Sequence, residues 1–125
     1  EIQKKRTANM KTINKNMRQL KVSITKRQFD RIGATATAVA ERVAKIPELS
    51  PEGSAHGPKS RIKPEVWKNF ARYIDFAERS AEAARSLAKV AGSQDQKKVM
   101  GSFLALAKSC TKCHKPYRKK IKRRR

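Results

Sequence analysis

The stretch PELSPEGSAHGPKSRIKP, residues 47–64, decides how the rest of the chain is read. It gathers Pro47, Pro51, Pro58 and Pro64 with Gly53 and Gly57, a density of breakers that interrupts any regular element, so residues 47–63 are predicted as one long loop. Before it, Met10, Ile13, Met17, Leu20 and Ile24 step by three and four, and so do Phe29, Ile32, Ala36, Val39, Val43 and Ile46. Two helices are expected there, over residues 3–25 and 28–46, broken near Thr25 to Gln28. After the loop, Trp67, Phe70, Ile74, Ala77, Ala81, Ala84 and Ala88 repeat the pattern, with Pro64 suited to a first helical turn and Gly92 and Ser93 to a stop, which predicts a helix over 64–91. Val99, Phe103, Leu106, Cys110, Cys113 and Tyr117 define a fourth over 95–121, with Asp95 as its cap or first-turn acid. No segment alternates with period two, so no strand is expected. Four apolar seams without a sheet predict an all-α, antiparallel four-helix bundle forming one domain over residues 1–125.

The chain has 125 residues, which limits it to one ordinary core and excludes two independent enzyme domains. Only 38% of it is hydrophobic, and 32 Lys and Arg against 10 Asp and Glu leave a net charge of +22 that the compact state must tolerate. A bound apolar cofactor is one way to compensate. The longest apolar run, Phe103 to Ala107, is far short of the roughly 20 residues of a membrane-spanning helix. The chain begins at Glu1 with neither an initiator Met nor an apolar targeting stretch, as expected of a mature form whose leader is removed, or of a fragment.

Cys110, Thr111, Lys112, Cys113 and His114 spell the attachment motif of a c-type haem. Positions i, i+3 and i+4 share one helix face, so two thiols can form thioethers to the porphyrin edge while the imidazole of His114 reaches the iron. A zinc site would need a fourth ligand, for which only His56 in the loop is at hand, and a thioredoxin-type dithiol expects a strand before its helix. One covalent haem c is therefore expected, with Cys110 and Cys113 as its anchors and His114 as metal ligand. His56 reads as an exposed loop residue. Covalent haem attachment is a maturation step of exported bacterial proteins and of organelles, so the expected location is the periplasm.

A haem motif on the last helix of such a bundle resembles the class II cytochromes c, the family of cytochrome c′ and its low-spin relatives. The segment from Cys110 through His114 to Tyr117 and Arg118, the Pro64-Glu65-Val66-Trp67 opening of helix three and the Arg6-x-x-x-Met10 stretch of helix one carry that resemblance, which spans nearly the whole chain. Two features depart from it: the extreme basic charge, and Pro116, expected to kink the last turns of a helix that family members usually continue. The resemblance implies that Arg6 meets a haem propionate and that Arg118 lies beside the proximal imidazole, with Tyr117 also in the haem environment. A solvated surface charge is the competing reading of each arginine.

In an up-down-up-down bundle the start of helix one lies beside the end of helix four, so the iron held by His114 is expected to face Met10. Met17 lies about 10 Å further along, and Met100 shares a helix with His114 about 21 Å away. Met10 is the expected sixth ligand, which matches the Met of the low-spin members that the chain resembles; core packing is its alternative role. The same topology makes Val43, Ile46, Trp67, Phe70 and Ile74 the expected pocket walls.

These expectations describe a periplasmic one-electron carrier, not an enzyme, with low-spin iron between His114 and Met10 and a positive surface that steers an acidic redox partner. The basic tail from Lys115 to Arg125 follows directly on the haem helix. The alternative is a five-coordinate, cytochrome c′-like protein that binds nitric oxide or carbon monoxide. A nucleic-acid binder would also be basic, but the chain lacks interleaved exposed aromatics and a binding motif, so no nucleic-acid partner is expected. Monomer and homodimer both remain open, since the cations of helices one and two make self-association costly.

Overall fold

The computed structural model describes the backbone of residues 2–49 and 65–117, and side chains within 4–49 and 67–112. The elements run α1 (Ile2–Thr25), α2 (Phe29–Ala44), α3 (Glu65–Lys68), α4 (Phe70–Ala91) and α5 (Gln96–Tyr117). There is no strand among the described residues, and the four long helices form the expected bundle. Within it α1 packs on α2, α2 on α4, and α4 on α5, while α1 and α5 close the ring with a much sparser contact. None of the described helices is long and apolar enough to cross a membrane.

Local chemistry sets the helix ends. At the end of α1, Gln28 N–H donates to Ser23 O at 2.9 Å and Arg27 N–H to Ile24 O at 3.1 Å, the paired bonds of a Schellman turn. That turn needs a left-handed residue, and Arg27 supplies it at φ 56° in place of the usual glycine. Asp95 caps α5, its Oδ1 accepting from Lys97 N–H at 3.1 Å and Lys98 N–H at 3.2 Å. The helix expected over 64–91 is in fact broken. Asn69 leaves helical geometry (φ −142°, ψ 76°) and its Oδ1 accepts from Arg72 N–H at 3.2 Å, so it starts α4 and sets off the single turn of α3. α5 continues past Pro116 to Tyr117; Pro64, the long loop with His56, and residues 118–125 with Arg118 lie outside the described residues.

The core is a single stripe from each helix. Leu20 and Ile24 of α1, Ile32, Val39 and Val43 of α2, Leu87 of α4, and Val99 and Leu106 of α5 are almost completely buried. α2 and α4 face each other largely through alanines, among them Ala36, Ala40, Ala81 and Ala84, and the lack of bulk lets their backbones approach closely. α4 corrects the predicted phase. Tyr73 is 5% exposed and Ile74 38%, so Tyr73 occupies the core position that periodicity assigned to Ile74. At roughly 100° per residue, Tyr73 sits near the middle of the buried stripe that continues through Ala77, Ser80, Ala81, Ala84 and Leu87, whereas Ile74 lies about a quarter-turn from that middle, at the stripe's edge.

Candidate haem site

Two apolar groups meet at the end of the bundle where α1 starts, α2 stops, α4 starts and α5 stops. Met10 and Cys110, both half-buried, pack against the main core together with Ile46. Ile46 also touches a second group, in which Trp67, Phe70 and Phe76 surround Tyr73. The Phe70 and Tyr73 rings lie 5.7 Å apart at 33°, and the Arg72 guanidinium stands 5.4 Å over Phe76. Of the expected pocket walls, Ile46, Trp67 and Phe70 are thus brought together, Val43 lies in the main core, and Ile74 faces outward. The fold supplies Tyr73 and Phe76 instead. Tyr73 could have been found in the sequence, because it stands four residues before Ala77 in the same periodic run.

Arg6 reaches this end from α1 and donates to Leu49 O at 3.4 Å, which ties the chain beyond α2 to the first helix. Burial lowers the pKa of its guanidinium, while nearby Tyr73 acts in the opposite sense. One turn on, buried Asn9 donates through Nδ2 to Arg42 O at 3.0 Å, satisfying a carbonyl near the end of α2. No periodicity marks such a polar core residue.

α5 stays helical through the whole Cys110–His114 motif, so positions 110, 113 and 114 fall on one face. The side chains of Cys113, His114 and Tyr117 lie outside the described residues. Cys110 shows that this face turns inward, against the core and Ser80 of α4. Burial pushes the Cys110 thiol up, and the hydroxyls of Ser109 and Ser80 pull it partway back. Ser80 is 3% exposed and its Oγ meets no hydrogen-bond partner in good geometry, so its pull on the sulfur is that of a nearby dipole. An inward thiol on the required helix face, beside the sparse α1–α5 seam, fits an attached haem; Cys110 and Cys113 would carry the thioethers and His114 the iron.

The family model for cytochrome c′ matches residues 1–118. The chain belongs to the cytochrome c′ family. It is 31% identical over 83 residues to the cytochrome c′ of Rhodospirillum rubrum, an alignment covering 66% of this chain and 56% of that protein. The chain therefore aligns with little more than half the length of that relative. Among solved structures, the cytochrome c′ of Thermochromatium tepidum is 25% identical with a TM-score of 0.84, covering 96% of both chains. Another cytochrome c′, with a ligand-controlled dimer dissociation, is 26% identical with a TM-score of 0.75 over 96% of this chain and 95% of its own. The family binds haem c covalently, as the motif predicts.

Membership also overturns an expectation. The six-coordinate, low-spin carrier with Met10 on the iron does not hold, because the matching family and the relatives from Rhodospirillum rubrum and Pararhodospirillum photometricum are cytochromes c′, whose haem is five-coordinate and binds nitric oxide or carbon monoxide. Met10 misled for a physical reason. A methionine on an apolar seam near the iron has the same sequence signature whether its thioether ligates or simply fills space. In the structure it packs, half-buried, against the main core.

Proposed function

We propose that this chain is a five-coordinate c-type haem protein that binds nitric oxide or carbon monoxide. The observation that carries the reading is the inward-facing Cys110 on α5 within a chain that matches the cytochrome c′ model from residue 1 to residue 118. When bound, the haem supplies an iron site that a diatomic ligand can fill. The chain's own residues would shape that site: Cys110 and Cys113 would fix the ring to α5, and Met10 with Ile13 lines α1 with apolar groups that would keep water out. Ile46, Trp67, Phe70 and Tyr73 close the end of the bundle. A point mutant of the cytochrome c′ from Alcaligenes xylosoxidans, which has the same fold and is 20% identical, has been solved as a nitric oxide complex.

On this reading the protein resides in the periplasm, where c-type attachment takes place, and acts by binding rather than by turnover. The solved relative with a ligand-controlled dimer dissociation makes a homodimer a candidate form of this chain, and the seven Lys and Arg of α1, with no acid, would oppose that pairing at low salt. Absorption spectra of the oxidised and reduced holoprotein, followed by titration with carbon monoxide, test the proposal. High-spin spectra and uptake of one carbon monoxide per haem support it. A low-spin spectrum that carbon monoxide leaves untouched sinks it.

A further inference from the structure

The net charge of +22 is not spread evenly over the bundle. α1 carries seven Lys and Arg and α5 five Lys, and neither contains a single Asp or Glu. α2 balances two acids with two bases, and α4 sets three acids against four bases. Both ion pairs among the described residues lie on α4, Arg79 to Asp75 at 2.9 Å and Arg85 to Glu82 at 3.1 Å. Since α1 and α5 are neighbours in the ring, one side of the molecule is uniformly cationic and the other is mixed.

That side also bears the most exposed large apolar side chain among the described residues. Leu104 is 59% exposed and Met100 39%, one turn apart on α5, with Lys97 one turn before the pair and Lys108 one turn after it. Gly101, between them on the surface, has open space around its Cα. Lysines flanking a short apolar ridge can lay their stems along it while their ammonium groups point to anions.

We infer that the α1–α5 side is a docking surface for an anionic lipid leaflet. Charge complementarity selects this occupant. The cations extend about 26 Å along α1 from Lys4 to Lys21, and about 23 Å along α5 from Lys97 to Lys112, without interruption in sign. A leaflet of acidic headgroups is uniform over that span, whereas a protein surface is a mosaic that brings its own cations against some of these lysines. A second copy of the chain is repelled by the same charges. Leu104 and Met100 are too few to hold the protein by apolar insertion alone, so attachment is electrostatic, peripheral and reversible by salt. The inference does not depend on which ligand the iron binds.

Flotation of the holoprotein with vesicles, read by haem absorbance, tests it. The vesicles contain phosphatidylcholine alone or with roughly 30% phosphatidylglycerol, at low and high salt. Binding is expected only to the anionic vesicles and only at low salt. Each lysine near such a surface strengthens partitioning about fivefold, so Lys15→Gln/Lys108→Gln/Lys112→Gln weakens it about 100-fold. Arg31→Gln/Lys45→Gln/Lys89→Gln removes the same charge from the other side and is expected to cost less than about tenfold. Circular dichroism verifies that both variants are folded. Leu104→Ser, tested at low salt, lowers binding by a few-fold more than the same change at exposed Thr111. Equal losses from the two triple variants overturn the inference, as does failure to bind anionic vesicles. Preferential capture by a DNA duplex or by an acidic ferredoxin, with the same dependence on α1 and α5, assigns the surface to another partner and overturns it too.

Discussion

Gln96 donates through Nε2 to Ile24 O at 2.8 Å, joining residues 72 positions apart. The acceptor is one of the last carbonyls of α1, which also accepts from Arg27 N–H at 3.1 Å in the closing turn, and the donor is the first residue of α5. This bond fastens α1 to α5 at the end of the bundle away from the haem motif, where the two helices otherwise touch sparsely. Gln96 Oε1 is buried without a partner, which offsets part of the gain. Gln96→Ala is therefore expected to lower stability by about 1 kcal/mol. Gln96→Glu should cost more, because it turns a carboxylate toward a carbonyl oxygen. Urea denaturation of the holoprotein checks both, and haem absorption should be unchanged in either.

Tyr73 and Ile74 are adjacent in sequence and opposite in consequence. Tyr73→Ala removes the centre of the group formed by Ile46, Trp67, Phe70 and Phe76, and is expected to cost about 3–5 kcal/mol. Ile74→Ala acts on a side chain that lies largely in solvent and should cost less than about 1 kcal/mol. Thermal melts of the two variants decide whether α4 is phased as described.

That pair shows what was legible in the sequence. Existence and type of the long helices followed from the three-and-four spacing of residues such as Leu20, Ile24, Val39 and Val43, because burial of one stripe is what makes these helices stable. The phase of α4 was less legible. Its stripe is mostly alanine, and at its start Trp67, Phe70, Tyr73, Ile74 and Phe76 offer several compatible registers. Asn69 held the missing signal, since an Asn inside an apolar run is a good N-cap and breaks the helix there. The haem motif was legible because the chemistry fixes its spacing. Coordination of the iron was not, since Met10 carries no mark in the sequence that separates a ligand from a filler.

The Cys110 thiol predicts a pH dependence in the haem-free chain. Burial raises its pKa in the folded state, so the native protein holds this proton more tightly than the unfolded chain does. For an acid raised in this way, the stabilisation is full below the unfolded thiol's pKa and is lost as pH rises through the folded value. Haem-free Cys113→Ala protein should thus lose stability between neutral pH and about pH 10. The loss should be smaller in Cys110→Ala/Cys113→Ala, where no thiol ionises. Urea midpoints at the two pH values provide the comparison, and equal losses would remove Cys110 from the account.

Met10 offers the sharpest test of the haem site. If its thioether only packs, Met10→Ala removes a half-buried side chain and costs about 1–2 kcal/mol, less than a fully buried methionine. The iron does not register the change: the spectra of wild type and variant are both high-spin, and carbon monoxide association differs by less than about tenfold. A bound thioether would behave otherwise, because a ligand that must leave before carbon monoxide enters slows association in the wild type and its removal changes the spin state. Met17, also half-buried and two turns further along α1, is the control. Met17→Ala should match Met10→Ala in stability loss and likewise leave the spectrum alone. A spin-state change confined to Met10→Ala would return the sulfur to the iron, and with it a closed site in place of one open to gases.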